Sequence, residues 1–138
     1  MRLGHNTKID LIKGVPLFAS ASKHELAEIA SIADEIDLPE GKVLIREGDT
    51  GREFFVLVDG TAEVSRAGKK VASIGPGDFF GEIALISKTP RNATITTTSP
   101  VRALVITDRA FRQLLDHSPQ IQIAVLTALA ERLAPTTL

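Results

Sequence analysis

No cysteine occurs in the 138 residues. Its absence removes disulfides, thiol nucleophiles, thiolate-held zinc and iron–sulfur clusters together, and it fits a reducing compartment. Tryptophan and tyrosine are missing too, and six phenylalanines are the whole aromatic complement. A stacking platform for single-stranded nucleic acid has little to build on. Charge of one sign is also lacking: the net charge is −1, with ten Lys/Arg against twelve Asp/Glu in residues 1–70 and six against five in residues 71–138. Duplex surfaces rely on clustered cations, so no nucleic-acid partner is expected. No apolar run reaches the roughly 18 residues of a membrane span. The opening Met1-Arg2-Leu3-Gly4-His5-Asn6-Thr7-Lys8 lacks the apolar stretch of a secretion signal. The expected location is the cytoplasm. What is left is an ordinary globular composition, 43% apolar and 24% charged, at the length of a single domain spanning 1–138.

Hydrophobic periodicity changes twice along the chain. Lys8–Lys13 reads as an amphipathic turn closed by Gly14, and Val15-Pro16-Leu17-Phe18 as an apolar connector. Ser22 with Glu25 three residues later forms a capping-box signature. Leu26, Ile29, Ala30, Ile32 and Ala33 follow it at helical spacing. From there short β-rich runs alternate with turn signals. Leu38-Pro39-Glu40-Gly41 reads as a turn, Val43–Arg46 as a strand and Glu53–Val58 as a strong strand. Asp59-Gly60 fits a tight hairpin that pairs Glu53–Val58 with Thr61–Arg66. Val71–Ile74 pairs back after Ala67-Gly68-Lys69, and Gly75-Pro76-Gly77-Asp78 is a rigid turn. Ala93–Thr98 and Val101–Thr107 are strands around Ser99-Pro100. Strands this short at such regular spacing predict an all-β sandwich or barrel. Helix returns at Asp108, with Phe111, Leu114 and Leu115, and again at Ser118-Pro119, a cap followed by proline at the first helical position. The last helix, about 120–133, is apolar on most sides through Ile121, Ile123, Ala124, Val125, Leu126, Ala128, Leu129, Ala130 and Leu133. It either packs wholly on the β-structure or turns an outer face to a second chain or a ligand.

The chemistry lies in residues 75–94. Gly81 precedes a short helical pattern over Glu82–Ile86, where unpaired backbone N–H groups would attract an anion. Arg91 follows Pro90, and its guanidinium can grip a phosphate with two parallel bonds. Glu82 puts a carboxylate beside the same place. Like charges repel, so a carboxylate is wasted on bare phosphate; it serves a ligand that also offers hydroxyls, as a ribose does. No catalytic constellation accompanies these groups. His5, His24 and His117 are far apart with no metal-ligand spacing, and no nucleophile-elbow motif occurs. Binding without turnover is expected.

Phe80-Gly81-Glu82-Ile83-Ala84-Leu85-Ile86, a short spacer, then Pro90-Arg91-Asn92-Ala93-Thr94 resembles the phosphate-binding cassette of cyclic nucleotide-binding domains. The stretches Glu47-Gly48-Asp49, Glu53–Val58 and Gly60–Val64 are similar to that family as well, so the resemblance runs over roughly residues 14–133. It implies a mainly β fold with flanking helices: N-terminal helices over 8–34, a β-roll (a jelly-roll-like double-stranded β-helix) over 36–107 and C-terminal helices over 108–133. It further implies ligand-binding residues Gly81, Glu82, Ile83, Ala84, Arg91, Asn92 and Ala93. Glu82 would accept from the ribose 2′-hydroxyl and the Gly81 backbone would hold the ribose. The Ala84 and Asn92 amides would meet the cyclic phosphate, and Arg91 would pair with its charge. Ile83 and Leu85 would form an apolar relay.

Cyclic-GMP-preferring members often carry Thr directly after the cassette arginine. Here that position is Asn92, so cyclic AMP is expected ahead of cyclic GMP. With no Trp or Tyr, the lid over the base would be aliphatic, from the helix at 120–133. The implied role is a regulatory sensor, with the cyclic nucleotide as ligand, no cofactor and no metal. It would signal to an unidentified effector through movement of its C-terminal helices. The alternative is a nucleotide-independent dimerisation or docking module on the same fold, self-associating through the 120–133 helix.

Overall fold

The computed structural model describes residues 4–133. Residues 1–3 and 134–138 and the side chains of His5, Arg132 and Leu133 lie outside the described residues. The chain forms two compact units, one helical, from residues up to Ala33 and from Ala110 onward, and one of β-structure, Asp34–Arg109.

In the helical unit, α1 (His5–Lys13) stops at Gly14, whose N–H donates to the Leu11 carbonyl at 3.3 Å. A single 3-10 turn, Pro16–Phe18, opens on its proline and buries Leu17 and Phe18. Helix α2 (Lys23–Ser31) starts with the capping box that the sequence announces: Glu25 N–H donates to the Ser22 hydroxyl at 3.2 Å, and Ser22 N–H to the Glu25 carboxylate at 3.0 Å. Phe18 packs on Phe111 of α3 (Asp108–His117), with ring centroids 5.7 Å apart. Helix α4 (Pro119–Leu133) begins on its proline, and the buried Ser118 hydroxyl accepts from Ile121 N–H at 3.4 Å. Helix α4 has one buried and one exposed face. Ile121, Ala124, Val125 and Ala128 are buried at helical spacing, whereas Ile123 and Leu126 are 63% and 65% exposed.

The β unit consists of two four-stranded antiparallel sheets. One runs β1 (Asp34–Leu38), β8 (Val101–Thr107), β3 (Glu53–Asp59), β6 (Phe79–Phe80). The other runs β2 (Val43–Ile45), β7 (Thr94–Thr97), β4 (Ala62–Arg66), β5 (Lys69–Ile74). Strand β1 takes residues that the sequence analysis divided between helix and turn. Its Asp-Glu-Ile-Asp-Leu composition is poor strand material, and it exists because β8 offers a ladder from Val101 to Val105.

A second correction concerns Asp59-Gly60. It is not a hairpin turn, because β3 and β4 lie in different sheets: β3 pairs with β8 and β6, and β4 with β5 and β7. Gly60 is instead a corner where the chain crosses from one sheet to the other. Its φ is +88°, and a Cβ there would stand 2.2 Å from the Pro100 carbonyl, so only glycine fits. The crossing back, at 98–100, lies alongside: Thr61 N–H donates to the Ser99 hydroxyl at 2.9 Å and Thr98 N–H to the Thr61 carbonyl at 2.9 Å. Sequence alone could not separate a hairpin from two corners bonded to each other. The Ala67-Gly68 turn and the Gly75–Asp78 turn form where expected.

Between the sheets lies a core of Leu57, Ala62, Ile95, Val101 and Ala103, with Ile36, Leu44, Ile45, Val64, Ile74 and Phe80 packed against it. Burying each larger member contributes about 1.5–3 kcal/mol. That rigid interior fixes the segment between β6 and β7, where the candidate site lies.

Candidate functional site

After β6 the chain turns sharply at Gly81, with φ +83°, into a single 3-10 turn, Glu82–Leu85. Sequence analysis expects a helix start here. What forms is one turn of four residues, too short to carry much of a helix dipole. The Ala84 N–H is already engaged, donating to the Gly81 carbonyl at 3.0 Å. Anion attraction therefore falls on Arg91.

The Arg91 guanidinium is half-buried and sits in a slot between two glycines. A Cβ on Gly51 would stand 2.9 Å from its Cζ and Nη1, and a Cβ on Gly81 2.6 Å from Nη1. Its Nη2 donates to the main-chain carbonyl of Glu53 at 2.7 Å. Among the described residues no carboxylate lies within salt-bridge distance of it. Burial pulls its pKa below the usual arginine value, opposed in part by the Glu53 charge. A guanidinium remains protonated at neutral pH regardless. The result is a desolvated cation held on a neutral carbonyl, a cost that an arriving anion would recover.

Main-chain bonds lock the arginine's backbone to the β2–β3 loop. Arg91 N–H donates to the Asp49 carbonyl at 2.7 Å, and Gly48 N–H to the Arg91 carbonyl at 2.9 Å. This explains why Glu47-Gly48-Asp49 accompanies the cassette in the sequence: the loop holds the arginine's peptide.

Arg91 forms part of a cavity of about 420 Å³, which is within the range of small-ligand sites. Gly81, Glu82, Ile83, Ala84, Arg91, Asn92 and Ala93, the whole set of predicted site residues, line it. Ala84 and Ala93 are buried, Glu82 is half-buried, and Ile83 and Asn92 are exposed. Leu85, predicted to belong to an apolar relay, is fully buried beneath the 3-10 turn and does not line the cavity. The apolar floor takes one residue from each strand of the second sheet, Ile45, Val64, Ile74 and Ile95, with Phe79 and Phe80 from β6. One end is thus cationic, one wall carries a carboxylate and the floor is greasy. That combination suits a ligand with a single phosphate, a hydroxyl and a flat apolar ring.

Sequence reasoning missed two participants. Gly51 reads as an ordinary loop glycine, and its part in the arginine slot depends on a contact 40 residues along the chain. Arg66 reads as the end of a strand, yet it lines the cavity, and its Nε donates to the Asn92 carbonyl at 3.1 Å.

Comparison with known proteins agrees with this geometry. The cyclic nucleotide-binding domain matches residues 35–118. The cAMP-dependent protein kinase regulatory subunit of Schizosaccharomyces pombe is 35% identical over 109 residues, covering 78% of this chain and 26% of the relative. The chain spans about a quarter of the length of the curated regulatory subunits it matches. Among solved structures, the N-terminal domain of a transcriptional regulator from Streptomyces coelicolor superposes with a TM-score of 0.85 at 30% identity, covering 93% of this chain and 95% of that one. The cAMP-bound PfPKA-R structure superposes with a TM-score of 0.68 at 27% identity, covering 92% and 46%. By name these relatives are kinase regulatory subunits and a transcriptional regulator, and the matched family is a binding domain rather than an enzyme. No helix among the described residues is long and apolar enough to cross a membrane. Fold, cavity and match therefore agree: this chain belongs to the cyclic nucleotide-binding domain family.

Proposed function

We propose that the domain is a sensor for cyclic AMP that signals through its C-terminal helices. The observation that carries the reading is Arg91, a half-buried guanidinium with no carboxylate partner among the described residues, facing a cavity that also holds Glu82. In this reading the Arg91 guanidinium pairs with the cyclic phosphate. Glu82 accepts a hydrogen bond from the ribose 2′-hydroxyl, and the close backbone at Gly81 admits the sugar. The N–H of Asn92 donates to a phosphate oxygen. The N–H of Ala84 does so by sharing or releasing its bond to Gly81, so the 3-10 turn tightens around the ligand. Ile83 and Leu85 flank Ala84 and move with that turn. The purine lies on Ile45, Val64, Ile74 and Ile95.

Cyclic AMP is favoured over cyclic GMP because Asn92 replaces the threonine hydroxyl that often serves guanine. Similarity to cAMP-dependent kinase regulatory subunits and to a cAMP-bound structure supports this choice. In this reading the domain works in the cytoplasm. Signalling requires that the nucleotide prefer one arrangement of the C-terminal helices over another. The exposed Ile123 and Leu126 on α4 support a second reading, in which the same helix holds two copies of the chain together. Sedimentation with and without nucleotide separates the two.

A thermal melt tests the main reading, run alone and with cyclic AMP, cyclic GMP or 5′-AMP. Ligand at about 100 times its dissociation constant adds about 2.7 kcal/mol, a shift of roughly 10 °C for this size. A shift with cyclic AMP that is absent with 5′-AMP and lost in Arg91→Ala is the expected result. No shift with any nucleotide refutes it.

A further inference from the structure

Two successive peptide groups at the tip of the cassette are each held by their carbonyl. The Arg91 carbonyl accepts from Gly48 N–H at 2.9 Å, and the Asn92 carbonyl accepts from Arg66 Nε at 3.1 Å. A trans peptide is planar, with its N–H opposed to its C=O. Holding these two carbonyls therefore fixes the N–H groups of Asn92 and Ala93. Among the described residues no acceptor takes either N–H. Buried backbone N–H groups are nearly always paired, and Ala93 is buried, so its open N–H, next to that of the exposed Asn92, marks a place kept for an acceptor.

The first of these holds is backbone to backbone, and loop 47–51 supplies it. The second depends on one side chain. Arg66 ends β4, and the following Ala67-Gly68 turn has positive φ at both residues, +51° and +78°. That turn is tied in turn to the β2–β3 loop, because Ala67 N–H donates to the Glu47 carboxylate at 3.0 Å, and Glu47 N–H donates to the Thr94 hydroxyl at 3.0 Å. The hairpin end, the loop and the cassette are therefore linked in a ring, with Arg66, Glu47 and Thr94 as its side-chain members. A carbonyl oxygen carries negative charge, and an anion arriving beside an open one is repelled. The Arg66 guanidinium covers it.

We propose that Arg66 is a positioning residue for ligand phosphate: by holding the Asn92 carbonyl it orients the Asn92–Ala93 peptide and screens that carbonyl from the incoming anion. The proposal rests on the reading of this cavity as a cyclic-nucleotide site and deepens it, naming a residue outside the cassette that tunes phosphate recognition.

Its test uses the two phosphorothioate diastereomers of cyclic AMP, in which sulfur replaces one or the other exocyclic oxygen. Sulfur is the poorer hydrogen-bond acceptor, so an oriented N–H distinguishes the two. Affinities of wild type, Arg66→Ala and Arg66→Lys are measured by calorimetry, with melts of the ligand-free proteins. The expected result is a loss of about tenfold for cyclic AMP in Arg66→Ala, the scale of one charge-assisted hydrogen bond. It is accompanied by a diastereomer ratio that collapses toward one and an unchanged melting temperature. Arg66→Lys, which can still donate to the carbonyl, restores part of the ratio. An unchanged affinity and ratio in Arg66→Ala, with wild type binding normally, overturns the proposal and leaves the cavity reading standing. An equal loss for both diastereomers with a lowered melting temperature also overturns it, since that is loss of structure rather than of orientation. Absence of binding by wild type removes the cavity reading and the proposal together.

Discussion

Replacing Gly51 by alanine probes the arginine slot without removing any group that meets the ligand. Gly51 has no positive φ, so alanine adds no backbone strain there. Its Cβ would stand 2.9 Å from the Arg91 Cζ, the Arg91 Nη1 and the Ala84 Cβ. Ordinary contact begins at 3.4 Å, so the guanidinium must retreat by about 0.5 Å. A bidentate pair is sensitive to such a displacement, because both N–H groups must meet their oxygens at once. Losing one arm of a charged pair costs about 1.5–3 kcal/mol, which weakens binding by roughly 10- to 150-fold. Removing the arginine altogether, in Arg91→Ala, costs more, about 2–5 kcal/mol. Overpacking against Ala84 adds about 1–2 kcal/mol of instability, seen as a fall in melting temperature of roughly 3–8 °C. Calorimetric titration with cyclic AMP at a temperature where the variant is fully folded separates the two effects. Gly51→Ala binding as tightly as wild type would mean that the glycine slot does not position the guanidinium, and the geometric account of Arg91 would fail.

The remaining predictions concern ribose recognition, the strained turn and acid stability. Glu82→Gln weakens cyclic AMP binding by less than Arg91→Ala and reduces discrimination against 2′-deoxy cyclic AMP, since the amide oxygen accepts without the charge; equal binding of both nucleotides by wild type removes the ribose role. Ala67→Asn raises stability by about 0.5–1 kcal/mol, because Asn tolerates the positive φ of this turn better than Ala does, while Ala67→Val lowers it; melts of both variants check the pair. Asp37 has its pKa lowered chiefly by the hydrogen bond from Arg102, whose Nε donates to it at 2.9 Å. A carboxylate with a depressed folded pKa adds stability above its unfolded pKa of about 3.9 and loses it as pH falls through the folded value. Asp37→Asn accordingly removes a small part of the acid-induced loss below about pH 4; the Asp37 carboxylate is solvent-exposed, so a large change in the acid limb of the melting curve would contradict this account.

Much of the site was legible because its parts lie close in sequence. Gly81, Glu82 and Ala84 share one turn, and Arg91 through Ala93 follow after a short spacer, so local pattern carries the cassette. The capping box at Ser22 and Glu25 is legible for the same reason, since a helix cap involves only residues three apart. Zero cysteines exclude a disulfide framework by count alone.

Other features depend on partners far along the chain. Strand β1 is a charged segment that becomes a strand because β8 pairs with it. Asp59-Gly60 has hairpin chemistry but turns a corner, because β3 pairs with β8 and β6 while the segment that follows it joins the other sheet. Gly51 and Arg66 belong to the site through contacts 40 and 26 residues away. Local periodicity reports which face of a segment is apolar; it carries no information on which other segment will cover that face. The sequence by itself determined the alternation of helix and strand, the cassette and the charges it brings. Only the tertiary structure decided which strands share a sheet, what clamps Arg91 and which carbonyls are held so that their N–H groups remain open, because those are outcomes of long-range packing between two sheets.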